Sequence, residues 1–279
     1  MAFDVFERID QIARALPAER WMLVGGLMIH AHARLANLPH PRPTDDADLV
    51  VEVRAGSYSE AAQALHELGY QRHEPLDHRA PFHRFTRGDE HVDLMAPEDR
   101  PVRFAGRDVL GVPGSRSALN RTIPFTLPTG VVIRIPDLAS ALSLKGAAYH
   151  LPGANRLRHL QDGVTLFACA DTTALQLSNS MRRNINHLIN ALDTTAAWAA
   201  TDPSSRRRAV RAICQIRPDW AVPNFVLQQR PRGKRGPVDG NRTAALQRER
   251  MEPPTPGIEH ERGERPASDP AQSPRPELR

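Results

Sequence analysis

The stretch RPTDDADLVVEV, Arg42 to Val53, limits the fold more than any other part of the chain. Its apolar, β-branched half reads as a buried strand, yet Asp46 and Asp48 stand at the entrance. Aspartate is depleted from strands and costly to bury unpaired. Residues two apart in a strand share a face, so Asp46 and Asp48 point one way while Ala47, Leu49 and Val51 face a buried side. A second strand of the same kind, in HVDLM, carries Asp93 amid apolar neighbours. If the two strands are neighbours, three carboxylates converge, and close anions need a cation between them. Hard oxygen donors with open positions suit Mg²⁺, which binds a few carboxylates together with substrate phosphates.

The segment upstream fits that chemistry. WMLV, Trp21 to Val24, reads as a short buried strand ending at Gly25-Gly26, and LMIHAHARLA reads as a helix starting straight after. A glycine pair between strand and helix lets the backbone approach a phosphate, and the helix N-terminus favours an anion. Carboxylates with metal on one side and a phosphate-binding turn on the other make a phosphoryl- or nucleotidyl-transfer site. Taken singly, the glycines read as an ordinary turn and the Asp-x-Asp as a solvated or capping pair. Their order along the chain carries the reading.

The rest of the chain predicts a mixed α/β unit over residues 1–136, a helical region over 137–228 and a disordered tail over 229–279. Helical spacing over about Val5 to Leu16 comes first, and SYSEAAQALHELGY is an amphipathic helix with a serine cap. HRFTRGDEHVDLMAP is a hairpin around Gly88-Asp89. TGVVIRIP is the best strand of the stretch from Val102 to Arg134. Asp137 caps the helix DLASALSLKGAAYHL, another helix covers about Leu157 to Ala170, and residues 172–216 are mainly helical with an interruption at TDPSS. Beyond about Gln229, Pro, Gly, Arg and Glu occur without periodicity. Eleven basic and eight acidic residues fall after residue 229, so the net charge of +5 leaves residues 1–229 nearly balanced. The basic pI therefore does not by itself indicate nucleic acid. No signal peptide and no membrane span is predicted, and two isolated cysteines suit a reducing compartment, so the expected location is cytoplasmic.

The order strand, Gly-Gly, helix, Asp-x-Asp strand, helix, hairpin, third Asp resembles the polymerase-β-like nucleotidyltransferase superfamily. The likeness lies in LVGGLMIHAH, RPTDDADLVVEV and HVDLMAP and extends over about residues 18–170. Within that superfamily the chain is most similar to nucleotidyltransferase toxins of the AbiEii type, where an Arg-x-Thr-x-Asp-x-Asp block is familiar. Here that block is Arg42, Thr44, Asp46 and Asp48. The resemblance implies a nucleotidyltransferase-fold mixed sheet with flanking helices, followed by a helical C-terminal part. It implies two Mg²⁺ ions held by Asp46, Asp48 and Asp93, with Asp93 completing the site or activating the attacking hydroxyl. Gly25, Gly26 and Thr44 would contact a nucleoside triphosphate. The family places a lysine on a later helix and an aspartate on the next, which here are Lys145 and Asp162. A tRNA 3′ end or a protein hydroxyl would be the acceptor, and a cognate antitoxin the partner, within a toxin–antitoxin or phage-defence setting.

Lys145 stands out independently, because only it and Lys234 are lysines among 37 basic residues. In so arginine-rich a chain, a lysine on a folded helix points to a need for its compact charge. Two rival readings remain: a non-catalytic member of the same fold that binds nucleotide or a partner, and a metal-dependent phosphohydrolase. His30 and His32 are two apart on a helix and do not face each other, so they are not read as ligands. His78, His83 and His91 lie near the hairpin, where one could border the site, but they read better as surface or core histidines. SSRRRAVRAI could hold an RNA backbone, but reads equally as a solvated face.

Overall fold

The computed structural model describes residues 6–39, 44, 46–52, 57–77, 79–99, 101–151, 155–170 and 175–227. Arg42, Asp45, His78 and the tail lie outside them. The described part is a mixed sheet with flanking helices, as the sequence predicts.

Helix α1 (Glu7–Ala15) and a single 3₁₀ turn lead into β1 (Trp21–Val24), α2 (Gly25–Leu35), β2 (Asp46–Val51) and α3 (Ser57–Glu67). Next come β3 (Gln71–Arg72), β4 (Arg84–Arg87) and β5 (Glu90–Pro97), three two-residue strands, β6 (Arg103–Phe104), β7 (Arg107–Asp108) and β8 (Gly111–Val112), and the short α4 (Ser115–Leu119). The last strands, β9 (Thr122–Thr126) and β10 (Val132–Pro136), form a separate antiparallel pair. Helices follow: α5 (Leu138–Tyr149), α6 (Arg156–Cys169), α7 (Asn179–Asn190), α8 (Thr195–Trp198), α9 (Pro203–Ile216) and α10 (Asn224–Leu227). TDPSS, read as an interruption, is the start of α9, where Asp202 accepts hydrogen bonds from the Ser204 and Ser205 amides and Pro203 takes the first helical position.

The main sheet runs β1-β2-β5-β4-β3, with β8 joining the far end of β5. The β2–β5 pair is parallel; β1–β2, β5–β4 and β4–β3 are antiparallel. Strand alternation sorts the residues onto two faces. Leu23, Ala47, Leu49, Val51, Val92 and Leu94 join the cluster that includes Ile9 and Ile12 of α1 and Tyr58, Ala61 and Leu65 of α3. Met22, Val24, Val50 and Met95 turn the other way and meet Leu119 of α4 and Leu144 of α5. The carboxylates occupy the end of this second face.

Helix α2 is apolar nearly all round because it is buried between two cores. Its Leu27 and Ala31 pack into the sheet core, while Met28 and Ile29 pack with the helices that follow β10. His32 sits inside this packing, its Nε2 3.0 Å from the Pro136 carbonyl, and burial pushes its pKa down to about 4. It is a neutral core histidine. Gly146 lets α5 and α7 meet closely, since a Cβ there would stand 3.2 Å from the Asn184 Cα and overlap the Asn184 carbonyl. Among the described residues no helix is long and apolar enough to cross a membrane.

Candidate active site

Pairing registers bring the aspartates together. Asp48 on β2 lies directly beside Asp93 on β5, and Asp46 beside His91. Residues paired in this way point to one face, so Asp46, Asp48, His91 and Asp93 share it. The β4–β5 hairpin adds Arg84, which stands opposite Asp93. Gly88 has a φ of +57°, as the first residue of a tight two-residue turn demands, and that turn sets the register.

The Gly-Gly turn lies over this face. Gly25 belongs to the first turn of α2 rather than preceding it, with a φ of +66°, in the left-handed region. A Cβ on Gly25 would stand 2.7 Å from the Asp48 Cβ and overlap the Asp48 carboxylate. A Cβ on Gly26 would stand 2.8 Å from the Thr44 Cβ. Both glycines are therefore required by the close approach of the β2 entrance to the helix start, before any ligand is considered.

Cations surround the carboxylates. Arg84 donates through Nε to Asp93 Oδ1 and through a terminal nitrogen to Asp93 Oδ2, both at 2.8 Å. Arg158 of α6 donates to the Thr44 hydroxyl at 3.1 Å and lies 3.9 Å from Asp46. Lys145 Nζ is 2.7 Å from Asp162 Oδ2 in a buried ion pair, and its charge also reaches Asp48. Two imidazoles lie close by: His91 Nδ1 is 3.8 Å from Asp46, and His83 Nε2 is 3.9 Å from Asp93. Asp162 is only 1% exposed, so it acts on this site through Lys145. The sequence reading missed Arg84 and Arg158, and left His83 and His91 outside the site.

Asp48 feels the cluster most. Burial, and next the Asp93 charge, push its pKa up to about 6, while Lys145 and Arg158 pull the other way. Because the folded chain holds this proton more tightly than the unfolded chain, ionised Asp48 costs stability above about pH 6. That cost fades as the pH falls toward 4. A displacement from 3.8 to about 6 corresponds to about 3 kcal/mol. Asp48→Asn is therefore expected to be more stable than wild type by about 2–3 kcal/mol at pH 8 in the presence of a chelator, and equal to it near pH 4. Urea unfolding at the two pH values measures this, and a gain that does not change with pH would contradict it.

Among the described residues no three His, Cys, Asp or Glu side chains stand gathered around a point that would hold a metal ion. The donor chemistry nonetheless suits a hard divalent ion. Three carboxylates share one sheet face, and burial first, then the charge of Asp93, raises the pKa of Asp48, an anion that a divalent ion on this face would stabilise. Arg84 uses both Asp93 oxygens, but each oxygen has two lone pairs, so the carboxylate can still be shared. Beside Asp46 opens a cleft of about 680 Å³ that includes Arg8, Thr44, His91, Asn155, Arg158 and Gln161 in its lining. No family model matches the chain, and no curated protein is significantly similar to it.

Proposed function

We propose that this chain is a metal-dependent nucleotidyltransferase that moves a nucleoside monophosphate from a nucleoside triphosphate to an acceptor hydroxyl, releasing pyrophosphate. The supporting observation is the register that puts Asp48 beside Asp93, with Asp46 on the same face and Gly25 against Asp48. Asp46 and Asp48 would hold Mg²⁺, with Asp93 as the third donor. A bound divalent ion would neutralise the phosphates and stabilise the attacking and leaving oxygens of an in-line displacement.

The chain's own residues would do the rest. Asp93 would stand next to the incoming hydroxyl and take its proton. Lys145, fixed by Asp162, would contribute positive charge toward the triphosphate. Arg158 and Thr44 would flank the nucleotide at the cleft, and the Gly25-Gly26 backbone would border its phosphates. A tRNA 3′ end or a protein hydroxyl is the acceptor that the sequence resemblance suggests, within a toxin–antitoxin or phage-defence pair. A second reading, a binding protein without turnover, draws support from the Arg84 fork on Asp93, which occupies the third carboxylate.

The test pairs wild type with Asp48→Ala. Each is incubated with Mg²⁺, each α-labelled nucleoside triphosphate in turn, and total cellular RNA and protein. Wild type is expected to move label onto one RNA or protein band, and Asp48→Ala to do so at least about a hundredfold more slowly. Equal labelling by both would remove Asp48 from the chemistry. Metal-dependent nucleotide binding without transfer would favour the binding protein, and neither binding nor transfer would end the proposal.

A further inference from the structure

The carboxylate face carries a cation supplied by the chain itself. Counting outward from the Gly88-Asp89 turn pairs Arg87 with Glu90 and Arg84 with Asp93, so the register of the hairpin delivers a guanidinium to the third aspartate. The fork engages both Asp93 oxygens at once, the strongest geometry an arginine and a carboxylate can adopt. The Asp93 side chain is 11% exposed and that of Arg84 36%, so the arginine lies on the outer side, between Asp93 and water. Its charge is favoured first by Asp93 and then by Asp46 and Asp48. One residue thus offsets part of the repulsion among all three.

A divalent ion drawn to Asp48 and Asp93 would meet this guanidinium on the same carboxylate. Two cations sharing one anion at contact distance repel, and Asp93 cannot give both its best geometry. Arg84 has open solvent beside it and a long stem, so it can withdraw without disturbing the strand. We propose that Arg84 is the resident counter-cation of this face. It holds Asp93 in place while no divalent ion is bound, and gives the carboxylate up as an ion enters. It is a positioning residue that sets the affinity for metal, and the inference rests on the metal-dependent reading of this site.

Mn²⁺ is the probe, titrated by calorimetry into the full chain without nucleotide. Proteins compared are wild type, Arg84→Gln, Arg84→Lys, Asp93→Asn and the Arg84→Gln/Asp93→Asn double variant. Arg84→Gln is expected to bind Mn²⁺ about tenfold tighter than wild type, the equivalent of about 1.4 kcal/mol. Arg84→Lys, which keeps a point charge without the fork, is expected to gain about threefold. In the Asp93→Asn background, Arg84→Gln is expected to change affinity by less than about twofold, because the contested carboxylate is gone.

Equal or weaker binding by Arg84→Gln would overturn the proposal. So would a tenfold gain that persists in the Asp93→Asn background, which would mark a diffuse charge effect, and so would no Mn²⁺ binding by wild type and Arg84→Gln alike. Thermal melts of each variant accompany the titrations. Should Arg84→Gln not fold, Arg84→Lys decides alone, with equal or weaker binding as the overturning result. The two readings fail separately: a chain with this Arg84–Mn²⁺ coupling but no label transfer loses the enzyme and keeps the counter-cation.

Discussion

Gly25→Ala is expected to destabilise the chain by about 3 kcal/mol or more, whereas Gly88→Ala should cost only about 1. Both glycines have positive φ, +66° and +57°, so both substitutions force an alanine into the left-handed region. They differ in what the new methyl meets. At Gly88 nothing lies within 4 Å, and the cost is the backbone strain alone. At Gly25 the methyl overlaps the Asp48 carboxylate, whose Cβ would be 2.7 Å away, so either β2 or the start of α2 must move. Both elements are packed, with Leu49 and Leu27 in the sheet core, and neither can shift freely. Urea unfolding of the two variants isolates the contact from the conformational strain. Equal costs would mean that β2 and α2 do not approach as closely as the structure places them. Because the displaced group is Asp48, Gly25→Ala should also lose label transfer in whatever fraction remains folded.

The same glycine shows what could be read from sequence and what could not. That a Gly-Gly pair separates strand from helix is visible in LVGGLMIHAH, and so is the shared face of Asp46 and Asp48, because both follow from periods of local structure. That Gly25 is pressed against Asp48 depends on the antiparallel pairing of β1 with β2, where Val24 meets Asp48. Nothing local specifies that register. Arg84 is a different case. HRFTRGDEHVDLM contains a two-residue turn, and counting back from it places Arg84 opposite Asp93, so this contact was legible and went unread. Arg158 was not legible: its bond to Thr44 joins residues 114 apart and depends on how α6 packs against α2 and α5. Asp162 divides the two. Its place on the helix after Lys145 follows from the resemblance, but its burial against that lysine requires the packing of α5 on α6.

The Lys145–Asp162 pair supports the second large effect, and it separates structural from chemical roles. Lys145→Met takes the ammonium away from a carboxylate that is 1% exposed, and breaking a buried pair from one side costs about 3–5 kcal/mol. Replacing both partners by apolar side chains of similar size, Lys145→Met with Asp162→Leu, removes the desolvation cost of the pair together with its attraction, and should recover part of that loss, the remainder reporting what Lys145 does for Asp48. Leu142 and Leu166, about one turn along α5 and α6 from Lys145 and Asp162, are buried in the core formed by the helices that follow β10. Urea unfolding of wild type, both single variants and the double variant closes the cycle. Label transfer on the same proteins then asks what the lysine is for. A double variant as stable as wild type but at least about a hundredfold slower would assign Lys145 a role in the chemistry, since stability no longer accounts for the loss. A stable double variant that transfers label normally would make the pair a device of the fold, and would leave Arg84 and Arg158 as the cations that serve the carboxylate face. The charge of Lys145 at Asp48 favours the first outcome, because without it the raised pKa of Asp48 loses the first of the influences holding it down.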